Sequence, residues 1–242
     1  MLRFSIITVT YNAAPLLKKT IESVACQDND EFEYIVIDGN STDDTKNILN
    51  EYGDCLSKVV SEPDKGIYDA MNKGILLAEG EYCMFLNAGD ILYSNDTLKN
   101  AADLIALEDA DVYYADAFYV KTGRPDVYFT PQIEKLPFRF CHQAMFFKTS
   151  IIKQNMYDQK YHLSGDSELV YRLYEQNFKF KHLPVPIVRE LSGEGATERN
   201  LMTSTRELYS IPYLRTHMPF YKILYNKNKI VLYCILRKLH LI

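Results

Sequence analysis

An aspartate at the end of a short apolar run is the first candidate for chemistry in this sequence. The run Tyr82–Phe85 is followed by Leu-Asn-Ala-Gly-Asp, which ends at Asp90. This pattern predicts a buried strand that stops abruptly and presents polar side chains at its carboxyl end, where an open α/β sheet has its ligand site. A lone carboxylate there can hold a divalent metal ion against a substrate phosphate. The five residues alone favour a simple turn over a metal site.

Two further aspartates occupy positions suited to a site. Asp38 ends the apolar run that begins at Glu33, so it could hydrogen-bond a ribose or a base edge, or simply close a turn. Asp166 precedes a helical pattern that includes Leu169 and Leu173, and it is predicted to be the N-cap of that helix. From the residues alone, both aspartates therefore have a structural explanation as well as a functional one.

The elements that would position these side chains alternate between strand and helix. β-branched and apolar runs predict strands over residues 4–10, 33–38, 58–61 and 82–85. Apolar stripes at helical spacing predict helices around residues 16–24, 48–52, 67–78 and 98–105. A second, more aromatic set of strands begins near residue 111, and its rings are more typical of a core than of a sugar-binding surface. The alternation predicts a mostly parallel sheet flanked by helices.

Short sequence patterns near the candidate residues predict a helix cap, the start of a strand and a loop. Ser41 or Thr42 is suited to cap the helix that follows Asp38. His142 and Gln143 lie at the start of a predicted strand over residues 140–147. Residues 189–197 contain two glycines and read as a mobile loop that could close over a ligand.

Composition and charge restrict the class of protein. The 242 residues, 47% hydrophobic and 24% charged, fit one large domain with a small appendage. The net charge of −5 divides into −11 over residues 1–207 and +6 over the remainder. The acidic body argues against nucleic-acid binding, whereas the basic, aromatic end suggests contact with an anionic surface. The first residues show no secretory signal pattern, which predicts a cytoplasmic protein, and the scattered cysteines indicate neither a zinc site nor disulfides.

Four segments in order resemble a known family. TVTYNA, VIDGNSTDDT, SEPDKGIYDAMNKG and AEGEYCMFLNAGD, which lie within residues 4–93, are similar to the nucleotide-binding half of the family-two glycosyltransferases. These are inverting enzymes of GT-A fold that use nucleotide sugars. The third segment resembles the bacterial branch that builds capsule, exopolysaccharide, lipopolysaccharide or glycolipid glycans.

The resemblance implies a role for each candidate residue. Asp166 would be the catalytic base and Asp90 the ligand of Mg²⁺ or Mn²⁺. His142 and Gln143 would lie near the acceptor, although a buried, satisfied histidine explains His142 equally well. Relatives carry more acids before Asp90 than this chain does, so a metal requirement is expected with a reduced ligand set. The residues implied to bind the nucleotide of a UDP- or GDP-sugar are Thr10, Tyr11, Asn12, Asp38, Asp64 and Lys65.

Together these observations predict an α/β chain of GT-A fold, with a Rossmann-like sheet over residues 1–202 and a basic, aromatic helical tail over 203–242. Residues 1–93 would form the nucleotide half and 94–202 the acceptor half, and the acceptor would be a glycan or a lipid-linked molecule. Residues 208–242 are expected to touch the inner face of the cytoplasmic membrane, with an ordinary docking helix or a homodimer contact as alternatives. A sugar nucleotidyltransferase would need a Gly-rich basic loop that TYNAAP lacks. A non-catalytic nucleotide-sugar binder remains a rival, which turnover would distinguish.

Overall fold

A continuous β-sheet with helices on both faces organises the computed structural model, which describes residues 3–121, 123–191 and 200–238. The strands are β1 Phe4–Thr10, β2 Phe32–Asp38, β3 Lys58–Ser61, β4 Tyr82–Phe85, β5 Ile91–Leu92, β6 Val112–Val120, β7 Val127–Phe129, β8 Met145–Lys148 and β9 Phe180–Leu191. The helices are α1 Ala14–Ala25, α2 Thr45–Glu51, α3 Ile67–Leu77, α4 Thr97–Ile105, α5 Thr149–Gln154, α6 Gly165–Glu175, α7 Leu201–Leu208, α8 Pro212–His217 and α9 Phe220–Lys238.

The first half of the chain forms four parallel strands, as predicted. β1 lies between β2 and β4, and β3 lies outside β2. Thr10 at the end of β1 pairs with Asp38 at the end of β2. Because β2 and β4 flank β1 on opposite sides, the chain has a topological switch point there, and a crevice opens beyond the carboxyl ends of the strands.

The second half extends the same sheet. β8 runs antiparallel between β4 and β6, so β6 and its parallel neighbour β9 point in the direction of β1. The full order is β3-β2-β1-β4-β8-β6-β9-β5, and β7 pairs with β6. The residues that follow β4 thus share one edge of the sheet with the ends of β6 and β9.

Two hydrophobic cores hold the layers together. Along β1, Ile6 faces a core built with α1, α2 and α4, whereas Ile7 faces a core built with α3, α5, α6 and α8. Both faces of β1 are fully buried, which explains its continuous apolar sequence. Among the aromatic side chains of the second half, Tyr113, Tyr114 and Phe129 are buried, as expected for a core. Phe118 and Tyr119 are only partly buried, and Tyr128 is exposed, so the core prediction was wrong for these three.

The first part of the tail packs onto the domain. Tyr209, Leu214, Met218 and Ile223 are buried in the second core, and the ring of Tyr213 stacks on that of Tyr171 with centroids 5.6 Å apart. An ordinary docking contact therefore accounts for residues 209–223. In the described part of the chain, no helix is long and apolar enough to cross a membrane.

Four local predictions about where elements begin were wrong. Neither Ser41 nor Thr42 caps α2: the helix begins at Thr45, because the Ser41 hydroxyl donates to Asp38 instead. His142 and Gln143 lie in a 3₁₀ turn that precedes β8, where the His142 ring is bound to a tyrosine.

The third error concerns Asp166, which is not an N-cap. α6 begins one residue earlier, at Gly165, and Asp166 lies in its first turn. The predicted loop over residues 189–197 also starts too early, since residues 189–191 end β9, in register with β6. Residues 192–199 lie outside the described residues.

Candidate active site

A cavity of about 630 Å³ lies over the carboxyl ends of β1 and β4. Residues from both halves of the chain line it. Those among the predicted site residues are Thr10, Tyr11, Asp64, Asp90, His142, Gln143 and Asp166. Within the described residues, Asn12, Asp38 and Lys65 are not part of this lining.

Asp90 is held at the cavity wall by contacts from the second half. It is 5% exposed. Its Oδ1 accepts the backbone N–H of Leu191 at 2.9 Å, and its Oδ2 accepts the Gln143 side-chain amide at 3.1 Å. Gln143, predicted near the acceptor, thus also fixes the orientation of the predicted metal ligand.

Two oxygen atoms at the cavity have no hydrogen-bond partner among the described residues. They are Thr10 Oγ1 and Asn87 Oδ1, and both are buried. An unpaired buried oxygen costs about 1–3 kcal/mol, so a ligand that supplies a partner here would bind favourably. Asn87 lies three residues before Asp90, and its amide oxygen is a ligand type that Mg²⁺ and Mn²⁺ accept.

The charge of the cavity wall is negative. Asp64, Asp90, Asp166 and Glu190 line it, whereas no lysine or arginine does so in the part of the chain that the structure describes. A diphosphate that entered alone would be repelled by these carboxylates. The donor set therefore fits a divalent cation that is bound together with a diphosphate.

Asp38 and Asn12 lie outside the described cavity lining and hold together the loop that follows β2. Asp38 is fully buried, and its carboxylate accepts the Ser41 N–H and the Ser61 hydroxyl. The Ser41 hydroxyl in turn accepts the Asn12 N–H at 2.8 Å, and Asn12 Oδ1 accepts the Thr42 N–H at 2.8 Å. In this structure both side chains bind protein groups, which indicates support of the wall.

Asp64 reaches the cavity because Gly39 has no side chain. A Cβ atom on Gly39 would lie 2.4 Å from Asp64 Oδ2. The Asp64 Oδ1 accepts the Gly66 N–H at 2.9 Å, where Gly66 has φ +127, a region that favours glycine. The Lys65 backbone N–H donates to Asp69, which ties the same loop to α3.

Asp166 sits in the first turn of α6, where the exposed backbone N–H groups favour a negative charge. Its Oδ1 accepts the Tyr68 hydroxyl at 3.2 Å. Burial, together with the charge of Asp166, raises the pKa of Tyr68 far above its ordinary value, so this hydroxyl remains a donor. A side chain at Gly165 would meet the Tyr68 ring at 2.7 Å, which explains the glycine.

His142 is a buried histidine that nevertheless touches the cavity. Its Nε2 is 2.6 Å from the Tyr157 hydroxyl, and its ring stacks on Phe85 with centroids 5.2 Å apart. Desolvation lowers the pKa of His142, although the charge of Asp166 opposes this effect. The ring is thus neutral near pH 7, and the structural and the acceptor-site explanations both remain compatible with its position.

The turn before α6 is held by a carboxylate of the tail. Glu207 on α7 accepts the backbone N–H groups of His162 at 3.0 Å, Leu163 at 2.8 Å and Ser164 at 3.2 Å. The Ser164 hydroxyl also donates to the Ser204 carbonyl. These contacts fix the start of the helix that carries Asp166.

Sequence reasoning missed Tyr68, Glu190 and Glu207. Tyr68 belongs to the segment SEPDKGIYDAMNKG, so the resemblance marked the right region but not this side chain. The Cys141 thiol donates to Glu190 at 3.0 Å; burial and the charge of Glu190 raise the pKa of Cys141, which keeps the thiol protonated. Glu190 and Glu207 are brought to the site by long-range packing, for which the sequence carries no local signal.

Comparison with known proteins is consistent with this geometry. The family model "Glycosyl transferase family 2" matches residues 5–176. A "PGL/p-HBAD biosynthesis glycosyltransferase" of Mycobacterium bovis (strain BCG / Pasteur 1173P2) is 33% identical over 205 residues, 78% of either chain. "Poly(ribitol-phosphate) beta-N-acetylglucosaminyltransferase TarS" of Staphylococcus aureus (strain Mu50 / ATCC 700699) is 30% identical over 64% of this chain and 29% of that protein.

Solved structures share the fold. S. aureus TarS 1-349 in complex with UDP-GlcNAc has a TM-score of 0.71 at 24% identity, over 86% of this chain and 64% of that one. Mannosyltransferase PcManGT from Pyrobaculum calidifontis, in complex with GDP-Man and Mn2+, has a TM-score of 0.67 at 19% identity, over 85% and 61%. The predicted α/β fold of GT-A type is confirmed. With a family model that covers most of its length, this chain belongs to glycosyl transferase family 2.

Proposed function

We propose that this chain transfers a sugar from a nucleoside diphosphate sugar to a hydroxyl group of a glycan or a lipid-linked acceptor, with inversion at the anomeric carbon. The observation that carries the proposal is the single cavity that Asp90 and Asp166 both line. In this proposal, Asp90 acts on the side of the leaving diphosphate and Asp166 on the side of the incoming hydroxyl. Residues 1–93 supply the donor side, and residues 94–202 supply the acceptor side.

The proposed reaction is a nucleophilic displacement at the anomeric carbon of the donor sugar. The acceptor oxygen attacks the anomeric carbon, the bond from that carbon to the diphosphate breaks, and Asp166 takes the acceptor proton. The Tyr68 hydroxyl holds the Asp166 carboxylate in one orientation. Attack from the side opposite the leaving group inverts the anomeric centre.

The carboxylate of Asp90 and the amide oxygen of Asn87 would hold a divalent metal ion. When bound, Mg²⁺ or Mn²⁺ stabilises the negative charge of the departing diphosphate. Asp64 and Tyr11 line the same cavity beside Gly39, where they would contact the nucleotide. The related structures named with UDP-GlcNAc and with GDP-Man and Mn2+ support a nucleotide-sugar donor and a metal, with either base as a candidate.

A screen of UDP- and GDP-sugars with Mn²⁺ tests the proposal. A ligand that binds only the folded state raises the thermal midpoint of unfolding. At least one nucleotide sugar should therefore raise the midpoint by more than the corresponding free sugar does. The same sample should then release the nucleoside diphosphate. Stabilisation without any release would identify the non-catalytic binder instead, and the absence of stabilisation by every donor would refute the proposal.

We further propose that α9 rests on the anionic inner face of the cytoplasmic membrane. Phe220, Tyr221, Leu224 and Tyr225 are exposed on it, interleaved with basic residues that include Lys222 and Lys229. Each basic residue near an anionic membrane contributes about 1 kcal/mol. This arrangement supports a peripheral contact and a cytoplasmic location, and a second copy of the chain is the alternative occupant.

Flotation with vesicles separates these alternatives. A deletion of residues 208–242 would also remove Leu214 and Met218 from the core, so substitution is the cleaner test. Lys222→Glu with Lys229→Glu should lower flotation with phosphatidylglycerol vesicles by more than about tenfold, whereas reversal of two remote exposed lysines, Lys19 and Lys99, should not. Equal flotation of both double variants would contradict membrane contact, and sedimentation would then test for a dimer.

A further inference from the structure

A second cleft, of about 260 Å³, opens beside the cavity on the side of the predicted base. Tyr119, Phe140 and Asp166 line both spaces, so the cleft continues the cavity beyond Asp166. Its remaining lining consists of residues that none of the four family motifs contains, namely Phe129, Phe138, Arg139 and Ser167. A molecule in this cleft could reach Asp166 without occupying the part of the cavity near Thr10 and Asp90.

Arg139 is a basic side chain in the lining of this cleft. It lies over the Phe129 ring, 5.5 Å from the centroid. The backbone is fixed by two hydrogen bonds with Gln132, from N–H to carbonyl at 2.8 Å and at 2.7 Å. Arg139 is exposed, and among the described residues no carboxylate forms an ion pair with it. Its guanidinium N–H groups can therefore donate hydrogen bonds to a ligand in the cleft.

The chemistry of the lining selects a class of ligand. Aromatic faces such as Phe138 and Phe140 offer apolar surfaces against which a sugar ring or lipid can pack. A guanidinium binds phosphate and carboxylate through paired hydrogen bonds, which a neutral sugar cannot offer. An anion at Arg139 leaves the hydroxyl end of the same molecule free to reach Asp166.

We propose that this cleft is the acceptor subsite and that Arg139 recognises a phosphate or carboxylate carried by the acceptor close to the hydroxyl that receives the sugar. The proposal rests on the transfer reaction above and specifies its acceptor as an anionic glycan or a phosphate-linked lipid. Arg139 touches this substrate but takes no part in proton transfer, so its loss acts on the choice of acceptor.

Matched small acceptors test the charge requirement. Glucose, glucuronic acid and glucose 6-phosphate are compared by their effect on release of nucleoside diphosphate from the donor identified in the screen. The charged probes should act at concentrations about tenfold lower than glucose, the ratio expected for one hydrogen bond to a charged group. The two charged probes distinguish a carboxylate from a phosphate as the recognised group. In Arg139→Gln, the charged probes and glucose should act at about the same concentration. Arg139→Lys should retain part of the preference for the charged probes, because the positive charge remains.

Arg124→Gln, which removes an exposed arginine outside both spaces, is the matched control and should preserve the ratio. Ligand-observed NMR with the same probes, without donor, reports on the cleft independently of turnover. Contact of glucose 6-phosphate or glucuronic acid that Arg139→Gln weakens supports the subsite even if no donor is cleaved, in which case only the transfer proposal fails. Equal behaviour of charged and neutral probes, or no contact up to about 10 mM, overturns the anionic subsite.

Discussion

Asp166 is the side chain whose replacement most directly separates chemistry from stability. It lies inside the first turn of α6 and accepts the Tyr68 hydroxyl. Asp166→Asn keeps an oxygen for that bond but cannot take a proton. We expect a near-native thermal midpoint and unchanged donor binding, with transfer reduced by about 100-fold or more.

The measurement is the rate of sugar transfer at saturating donor, with donor binding followed by thermal shift. Transfer at close to the parent rate would mean that the base lies elsewhere, and His142, which also lines the cavity, would be the next candidate. Asp69 is less suited, because it binds the Lys65 N–H and Gln159 and is not part of the described cavity lining.

His142 should make stability depend on pH. Burial lowers its pKa in the folded protein, whereas an unfolded histidine titrates near about pH 6.5. As the pH falls, the unfolded chain takes up a proton first, so the free energy of unfolding decreases below about pH 6.5. We expect thermal midpoints measured from about pH 7 to 5.5 to fall less steeply in His142→Asn than in the parent. His217→Asn, which changes an exposed histidine, should retain the parent slope; a loss of slope in both variants would contradict the assignment.

The placement of the three cavity-lining aspartates could be predicted, because they follow strand ends or belong to short motifs. Asp64, Asp90 and Asp166 were recognised in this way, and each lines the cavity. Asp38 shows the limit of this reasoning. A strand end predicts where a carboxylate lies but not that two serines, Ser41 and Ser61, will occupy its oxygens.

Helix α7 contacts the turn before α6, the helix that carries the proposed base Asp166, and this contact predicts a role for Glu207. Its carboxylate accepts three backbone N–H groups ahead of α6, and bonds of this charge-assisted kind contribute about 1.5–3 kcal/mol each. Glu207→Gln removes the charge but keeps one acceptor oxygen. We expect a lower thermal midpoint. The factor by which kcat falls should exceed the factor by which donor affinity falls by at least about threefold, because the donor side is remote from this turn.

The measurements for this variant are kcat with saturating substrates and donor affinity by thermal shift. Glu175→Gln, a substitution of an exposed glutamate at the other end of α6, should leave both at parent values. If the midpoint falls while kcat is unchanged, Glu207 only supports the fold and does not position Asp166.

Strands and helices of the first half followed their sequence patterns, since β1, β2 and α3 bury continuous runs or regular stripes. The errors at the starts of α2 and α6 differ in range. At α2 the first N–H group, that of Thr45, is accepted by the neighbouring Asp43. Ahead of α6, the Ser164 N–H is accepted by Glu207, which lies 41 positions beyond Asp166. No window of sequence around α6 contains this information.

The excess of carboxylates in the cavity predicts how tightly the chain binds a divalent metal ion. Four carboxylates line it without a described lysine or arginine, but both oxygens of Asp90 accept hydrogen bonds from the protein. A divalent ion must therefore take most of its ligands from the diphosphate and water. We expect weak binding of Mg²⁺ or Mn²⁺ to the protein alone, much tighter binding with nucleoside diphosphate present, and loss of transfer with a chelator.

Calorimetric titration of Mn²⁺ with and without nucleoside diphosphate measures this difference directly. Asp90→Asn should weaken the nucleotide-dependent binding, whereas Asp103→Asn on the outer surface of α4 should not. Tight binding to the protein alone, or transfer that a chelator does not affect, would count against Asp90 as a ligand.

The carboxylate of Glu207 also sets an order of events during protein synthesis. The ribosome completes the donor side and Asp166 well before it adds Glu207, so a nascent or prematurely terminated chain that ends ahead of residue 207 lacks the acceptor for the turn before α6. Such a chain contains every strand of the sheet and the base itself, yet the base has no fixed position. Such a chain also lacks Leu214 and Met218 of the second core, so sugar transfer is expected only from chains translated past these residues.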